Sequence, residues 1–172
     1  MASIARSLRP AAARLTVRSP APWRASSFGA RAFSVSRAAA AAQAKMYTKD
    51  HEWVELSADK KTATIGISDY AAHALGDVVY VELPTVPLEV SAGDAIGAVE
   101  SVKSASDINS PISCTVTAVN SMLEETPSTI NKGPEDDSSA GGWVAKVEVA
   151  EAGVKDVEAL MDAEAYKAFT EE

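Results

Sequence analysis

The chain has 172 residues and a formal net charge of −8, a length that leaves room for one ordinary domain and a short extension. Its single cysteine, Cys114, excludes an internal disulfide and a metal site built from several thiolates. No uninterrupted apolar run reaches the roughly 18 to 20 residues that a membrane-spanning helix needs. The sequence therefore predicts a domain stabilised by a packed core, with no membrane insertion.

Charge is distributed unevenly along the chain. Every arginine lies in residues 1–37, whereas the first acidic residue is Asp50. The N-terminal segment is also rich in Ser and Ala and has apolar residues at helical spacing, as in a mitochondrial transit peptide. We predict a transit peptide and linker over residues 1–45, with cleavage near residues 33–37 and delivery to the mitochondrial matrix. The alternative is a basic arm that stays attached and binds nucleic acid or anionic lipid.

A short helix is predicted near the start of the remaining domain. Ser68 can accept a hydrogen bond from a free amide at a helix start, and Gly76 is placed to end the helix about two turns later. Polar residues 124–142 predict a surface loop. Apolar residues at helical spacing near the C-terminus, with Asp162 at a cap position, predict a helical end.

Short strand-like segments fill most of the rest of the domain. They lie near residues 47–56, 63–67, 78–83, 88–90, 95–99, 112–119 and 143–149. Strands of this length at spacings of about ten residues predict a mainly β fold, either a flattened antiparallel barrel or a sandwich. Trp53, Tyr80 and Trp143 fall on these strands, and we interpret them as core residues.

One lysine stands out by its position. Lys103 lies among small polar residues between two predicted strands, in the segment Glu100-Ser101-Val102-Lys103-Ser104-Ala105-Ser106-Asp107-Ile108. A lysine in such a connection projects outward, where an attached prosthetic group could reach several partner proteins. By itself the motif is short, and an exposed lysine in a turn is ordinarily a solvated charge.

Further segments, in fixed order, give this motif a context. They are Tyr47–Val54, Ala63–Ala71, Leu75–Pro84, Gly97–Pro111, Ile130–Lys132, Gly142–Trp143 and Asp162–Phe169. Together they resemble the H-protein family of the glycine cleavage system over nearly all of residues 46–172. The resemblance implies one lipoyl-carrier domain over these residues, of the barrel-sandwich hybrid type.

The resemblance also implies a function. Lipoic acid would be in amide linkage to Lys103, flanked by Glu100, Ser101, Val102 and Asp107, and the polypeptide itself would not be an enzyme. Its partners would be a pyridoxal-phosphate glycine decarboxylase, a tetrahydrofolate-dependent aminomethyltransferase, dihydrolipoyl dehydrogenase and the lipoyl-attachment enzymes. A transient carrier of this kind need only be a monomer.

The carried aminomethyl group is a cation near neutral pH, so carboxylates in a docking cleft would hold it. Through the resemblance we assign docking of the arm to His51, Glu52 and Asp107. The ordinary alternatives are a solvent-facing strand carboxylate for Glu52 and a structural role for His51. His73 has no partner at a suggestive spacing, and we assign it no role.

Three features depart from the family pattern. Cys114 stands where a glycine is usual, Asp50 stands where a small polar residue is common, and the loop at residues 133–142 is longer and more acidic than usual.

Other functions remain open at this point. One is a lipoyl or biotinyl carrier domain of another multienzyme complex, although biotinyl domains flank their lysine with methionines rather than Val102 and Ser104. Others are an enzyme that uses Cys114 with His51 or His73 and a purely structural acidic adaptor.

Overall fold

The computed structural model describes residues 44–171, so the predicted transit peptide and its cleavage region lie outside the described residues. The elements within the described part are short. In chain order they are β1 (Met46–Tyr47), β2 (Glu52–Leu56), β3 (Thr62–Ile67), α1 (Asp69–Leu75), β4 (Val78–Glu82), β5 (Leu88–Val90), β6 (Ala95–Ser101), β7 (Ala105–Asn109), β8 (Cys114–Val119), α2 (Met122–Glu125), α3 (Thr129–Lys132), β9 (Ala145–Val149), α4 (Glu151–Glu158) and α5 (Ala163–Glu171).

The strands form two antiparallel sheets. One has six strands in the order β1-β2-β3-β9-β8-β5, and the other has three in the order β4-β6-β7. Neither sheet closes on itself, so the molecule is a sandwich rather than a closed barrel. The predicted mainly β class, with short helices and a helical C-terminus, is confirmed.

The core lies between the two sheets. Val54 and Ile65 of the larger sheet and Val81 and Val99 of the smaller one are at most 1% exposed, and they belong to one apolar cluster. Burial of such aliphatic side chains stabilises the fold by roughly 1.5 to 3 kcal/mol each. The two sheets are therefore fixed face to face by the alternating apolar residues that the strand pattern predicts.

Helix α1 begins and ends as predicted. The Ser68 hydroxyl accepts a hydrogen bond from the amide of Ala71 at 3.1 Å, which satisfies one of the free donors of the first turn. Gly76 ends the helix at φ 77° and ψ −150°, a conformation that is essentially restricted to glycine. Asp162 likewise caps α5 by accepting from the amide of Ala165 at 2.8 Å.

Several predictions of strands and loops were wrong in detail. The segment at residues 47–56 is two strands, β1 and β2, because the chain reverses between them. The connection predicted at residues 100–111 contains β7, whose Ser, Asp and Asn residues lack apolar alternation because most of its side chains are exposed. The polar stretch at residues 124–142 includes α3, in which Ile130 is fully buried.

Tyr80 is also not a core residue. Its exposed fraction is 50%, because a register shift between Val78 and Tyr80 interrupts the pairing of β4 with β6 and leaves Val78 and Val81 as the buried residues of β4. By contrast, Trp53 is fully buried and Trp143 is 9% exposed, so their predicted core position is confirmed.

Replacement of Gly97 by alanine tests how closely β4 approaches the backbone of β6. A Cβ atom at residue 97 would lie 2.3 Å from the backbone oxygen of Glu82, so the two backbones must separate. We expect Gly97→Ala to lower the free energy of unfolding by about 1 to 3 kcal/mol in chemical denaturation. Ala98→Ser, one position away, is the control and should change it by about 0.5 kcal/mol or less.

Candidate functional site

The turn that carries Lys103 is a closed hairpin between β6 and β7, spanning Ser101–Ser104 and called here the Lys103 turn. The backbone amide of Ser101 donates to the carbonyl of Ser104 at 2.8 Å. The Ser101 hydroxyl accepts from the amides of Lys103 at 3.1 Å and Ser104 at 3.0 Å, and it donates to the Ser104 carbonyl at 3.0 Å. One serine side chain thus fixes the backbone of the turn while Lys103 stays exposed.

A second contact fixes the turn to the rest of the domain. The amide of Val102 donates to the carbonyl of Asp77, which follows α1, at 3.2 Å. The Lys103 side chain lies over the end of the same helix, since a Cβ atom at Gly76 would be 2.9 Å from both its Cε and its Nζ. The lysine therefore projects from a rigid turn along the C-terminal end of α1.

A cleft of about 210 Å³ opens beside this turn, between α1, β7 and the residues before β2. We call it the Asp107 cleft. Its apolar wall consists of Ile67, Ala71, Ala74, Leu75, Val99 and Ile108. Its polar lining consists of Asp50, His51, Glu52, Ser104, Ser106 and Asp107. The structure thus brings the three residues assigned to docking from the sequence, His51, Glu52 and Asp107, into one concave surface next to Lys103.

Glu52 is not the solvent-facing carboxylate of the ordinary alternative. It is 2% exposed, and its Oε1 accepts hydrogen bonds from the backbone amide of Asn109 at 3.1 Å and from its side-chain amide at 3.3 Å. Its Oε2 accepts from the hydroxyl of Thr48. Because these donors occupy both oxygens, Glu52 joins the end of β7 to β2 and shapes the cleft rather than offering a free charge to it.

Asp50 and Asp107 supply the exposed carboxylates of the cleft. Asp107 is on β7, where it pairs with Ala98 of β6, and Asp50 lies in the turn before β2. Asp50 is one of the departures from the family pattern noted above, and its position adds a second exposed carboxylate to the cleft. A group with positive charge and an apolar stem would fit this lining.

His51 is positioned by the C-terminal helix. Its Nδ1 lies 2.8 Å from the hydroxyl of Tyr166, and its ring contacts the ring of Tyr70 at a centroid distance of 4.7 Å. The Tyr166 hydroxyl also lies 2.7 Å from the hydroxyl of Ser68. A side chain on α5 therefore fixes a residue that lines the cleft, although the two are 115 positions apart.

The loop at residues 133–142 is held by two indole groups. Trp53 Nε1 donates to the carbonyl of Pro134 at 3.1 Å, and Trp143 Nε1 donates to the carbonyl of Ser138 at 2.9 Å. Within this loop, Glu135 accepts from the amide of Asp69 at 3.1 Å and from the hydroxyl of Tyr47 at 2.8 Å. Glu135 thus lies at the N-terminal end of α1, where a carboxylate is favoured.

Cys114 and His73 lie apart from this chemistry. Cys114 is the first residue of β8, is 1% exposed and lies 3.4 Å from the hydroxyl of Ser110. Burial raises the pKa of its thiol, which disfavours the nucleophilic thiolate. The His73 side chain is 82% exposed beside Asp69.

Residues 44–171 contain no group of three or more His, Cys, Asp or Glu side chains that could hold a metal ion. No helix among them has the length and apolarity to cross a bilayer.

Sequence reasoning missed four residues that shape the cleft. Thr48 and Asn109 bind the Glu52 carboxylate, and Ser68 and Tyr166 form the hydrogen-bond chain to His51. In the sequence, Tyr166 lies within Asp162–Phe169, a segment that predicted only a helical end and the family resemblance. Only the contact between Thr48 and Glu52 is local, at four positions apart. The contacts of Asn109, Ser68 and Tyr166 join segments at least 57 positions apart, which no local pattern identifies.

Replacement of Glu52 by glutamine tests its role as a structural bridge. Glutamine keeps the size of the side chain but removes the charge that strengthens the bonds to Asn109 and Thr48, so we expect the free energy of unfolding to fall by about 1 to 2 kcal/mol. Thermal and chemical denaturation provide the measurement. Glu55→Gln, on the same strand with a partly exposed ion pair to Lys45, should cost about 0.5 kcal/mol or less. Equal effects of the two changes would contradict the bridging role.

The sequence is similar to those of known proteins. The sequence model of the family described as "Glycine cleavage H-protein" matches residues 45–172. The chain is 50% identical over 126 residues to the glycine cleavage system H protein 2, mitochondrial, of Arabidopsis thaliana, covering 73% of this chain and 76% of that protein. It is 51% identical over 123 residues to the glycine cleavage system H protein of Phenylobacterium zucineum, covering 72% and 95%.

A solved structure extends the likeness to the fold. The crystal structure of a glycine cleavage system H protein from Mycobacterium marinum superimposes with a TM-score of 0.61 at 34% identity, covering 74% of this chain and 97% of that one. The fold is therefore that of the lipoyl-domain barrel-sandwich type. On the evidence of its sequence and its structure, the chain belongs to the glycine cleavage H-protein family.

Proposed function

We propose that this protein is the lipoyl carrier of the glycine cleavage system and that Lys103 bears the lipoyl group in amide linkage. Family membership supports the carrier role. The observation that supports Lys103 is its position: an exposed lysine at a hydrogen-bonded hairpin tip, in a turn whose next residue, Ser104, lines the Asp107 cleft.

The lining of the Asp107 cleft, which is part apolar and part acidic, fits a lipoyl arm. The Lys103 side chain lies over the end of α1, and Ala71, Ala74 and Leu75 of that helix line the cleft. An apolar chain that leaves the lysine can therefore lie against an apolar wall. When bound, the lipoyl group supplies the dithiolane whose sulfur carries the aminomethyl unit.

The polar side of the cleft suits the charge of that unit. Asp107 and Asp50 offer exposed carboxylates to a cationic amine, while Glu52, with both oxygens occupied, fixes the end of β7. We therefore assign docking of the amine to Asp107 and Asp50, and we assign a positioning role to Glu52 and His51. The backbone that carries the lysine is positioned by Glu100, Ser101 and Val102, chiefly through the hydrogen bonds of the Ser101 hydroxyl.

The carrier would visit several enzymes in turn. The glycine decarboxylase would load the arm, the aminomethyltransferase would unload it, dihydrolipoyl dehydrogenase would reoxidise it, and a lipoyl-attachment enzyme would first modify Lys103. The polypeptide performs no catalysis in this scheme, and a monomer is sufficient for it. The acidic charge of residues 50–172 favours approach to basic surfaces on these enzymes.

We also propose that the mature protein works in the mitochondrial matrix, with residues 1–45 as transit peptide and linker and residues 46–172 as the lipoyl-carrier domain. The basic, acid-free N-terminal composition supports this location. The existence of a mitochondrial relative in Arabidopsis thaliana is in agreement.

Lys103→Arg tests the attachment residue. Arginine keeps the positive charge but cannot form the amide with lipoic acid, so we expect the mass of one lipoyl group to be absent from the purified protein. Glycine decarboxylation supported by the variant should fall to the background level. Intact mass spectrometry with peptide mapping and a reconstituted glycine cleavage assay provide the two measurements.

A matched control is Lys61→Arg, which changes an exposed lysine near the tip of a different hairpin. This variant should keep both the lipoyl mass and the activity. Detection of a lipoyl group on another lysine, of biotin on Lys103, or of unmodified Lys103 in a fully active protein would contradict the proposal.

Asp107→Asn tests the docking of the cationic amine. Loss of an exposed charge should weaken docking about two- to fivefold, with the effect diminishing at high salt. Amide chemical shifts of Ser104 and Ser106 in aminomethyl-loaded protein measure the docked fraction. Asp137→Asn, in the exposed loop, is the charge-matched control, and an equal loss in this variant would indicate a general charge effect instead.

A further inference from the structure

His51 is held in an unusual backbone conformation at the mouth of the Asp107 cleft. Its φ is 73°, in the left-handed region that few non-glycine residues adopt. Its carbonyl accepts from the amide of Ser68 at 2.8 Å, and Tyr70 and Phe169 lie on its ring at centroid distances of 4.7 and 5.9 Å. The imidazole ring is therefore fixed in place. Which of its two nitrogens carries the hydrogen then decides where the ring has a donor and where it has an acceptor.

The hydrogen bonds of Ser68 determine which nitrogen carries the proton. The Ser68 hydroxyl is fully buried and already accepts from the amide of Ala71. Its own hydrogen has the oxygen of Tyr166, at 2.7 Å, as acceptor, and leaving it unpaired would cost about 1 to 3 kcal/mol. Tyr166 must then donate its hydrogen to His51 Nδ1 at 2.8 Å.

The state of Tyr166 supports this direction. Burial raises the pKa of the Tyr166 hydroxyl and outweighs the hydrogen bond with Ser68, which lowers it, so the hydroxyl stays protonated and remains a donor. A neutral imidazole that accepts at Nδ1 carries its hydrogen on Nε2. Tyr166 thus engages Nδ1, and Nε2 is the ring nitrogen that remains for the cleft, which His51 lines.

We propose that Tyr166 is a positioning residue that holds His51 as the Nε2–H tautomer, so that the cleft presents a donor and no basic nitrogen to the aminomethyl group. This inference rests on the proposed carrier function and adds to it a means of protecting the cargo. The other titratable groups of the cleft lining are the carboxylates of Asp50, Glu52 and Asp107, and a carboxylate is ordinarily a much weaker base than imidazole.

The chemistry of the cargo makes this tautomer useful. An ammonium group on a carbon that also bears sulfur has no nitrogen lone pair, so its carbon–sulfur bond is stable. If a base removes a proton, the lone pair of the amine expels the thiolate and forms the methaniminium cation, in which the methylene carbon is doubly bonded to nitrogen. Water then converts this ion into formaldehyde and ammonium, and the thiolate recovers the proton from the base. The net reaction consumes one water and involves no oxidant, and a free imidazole lone pair in the cleft would accelerate it.

The tautomer can be measured directly, because the chain contains only two histidines, His51 and His73. In protein labelled with nitrogen-15, at a pH about two units above the ordinary histidine pKa of about 6.5, a nitrogen without hydrogen resonates far downfield of an N–H nitrogen. We expect His51 to show a bare Nδ1 and a protonated Nε2, with the exposed His73 as internal reference. A bare Nε2 on wild-type His51 would overturn the proposal without any substitution.

Tyr166→Phe then tests the cause. It should shift His51 toward the Nδ1–H tautomer and raise the release of formaldehyde from isolated aminomethyl-loaded protein about three- to tenfold. Tyr47→Phe is the matched control, because it removes the hydroxyl bound to Glu135 from the ring stacked on Tyr166 and should leave both the tautomer and the release rate unchanged. The double variant His51→Asn with Tyr166→Phe should return the release rate to the wild-type range, since asparagine is not basic and tolerates the left-handed conformation.

The outcomes separate the two levels of the proposal. An unchanged tautomer in Tyr166→Phe, or faster release that persists in the double variant, would overturn the role of Tyr166 and leave the carrier function intact. A wild-type protein that cannot be loaded at all would contradict the carrier function and with it the protection of cargo.

Discussion

The buried carboxylate of Glu52 is the contact on which the geometry of this molecule depends. Its two oxygens bind Asn109 at the end of β7 and Thr48 before β2, so one side chain joins the three-stranded sheet to the six-stranded sheet. Asp107 and Ser106 are on β7 and His51 is next to Glu52 in sequence. The same contact that joins the sheets therefore sets the width of the cleft beside Lys103.

Lys103 combines a rigid base with a free side chain. Its turn is fixed by Ser101 and by the bond from Val102 to Asp77, while its amine lies over a glycine that has no side chain to obstruct it. The cleft contributes an apolar wall from α1 and carboxylates from β7 and the turn before β2. A group tethered at this position would therefore have a rigid origin, with the Asp107 cleft next to its turn.

Features that neighbouring residues determine could be predicted from the sequence, whereas features that depend on contacts between distant segments could not. The helix start at Ser68, its end at Gly76 and the exposure of Lys103 follow from neighbouring residues, and the structure agrees with each. Strand β7 was missed because its exposed polar residues give no alternation, and Tyr80 was misplaced because a register shift in β4 cannot be seen in an apolar run. The burial of Glu52 and its contact with Asn109 depend on packing between two sheets, which no local pattern encodes.

The Lys103 turn and the Asp107 cleft differ in how early they can form as the chain folds. The Lys103 turn closes over four residues, whereas the bond between His51 and Tyr166 closes a loop of 115 positions, and long loops cost more entropy to close. Helix α5 is thus the last element in chain order to contribute to the Asp107 cleft, through the bond that positions His51. A chain without α5 would keep the Lys103 turn, whose hydrogen bonds are local, but it would lose the contact that positions His51 in the cleft.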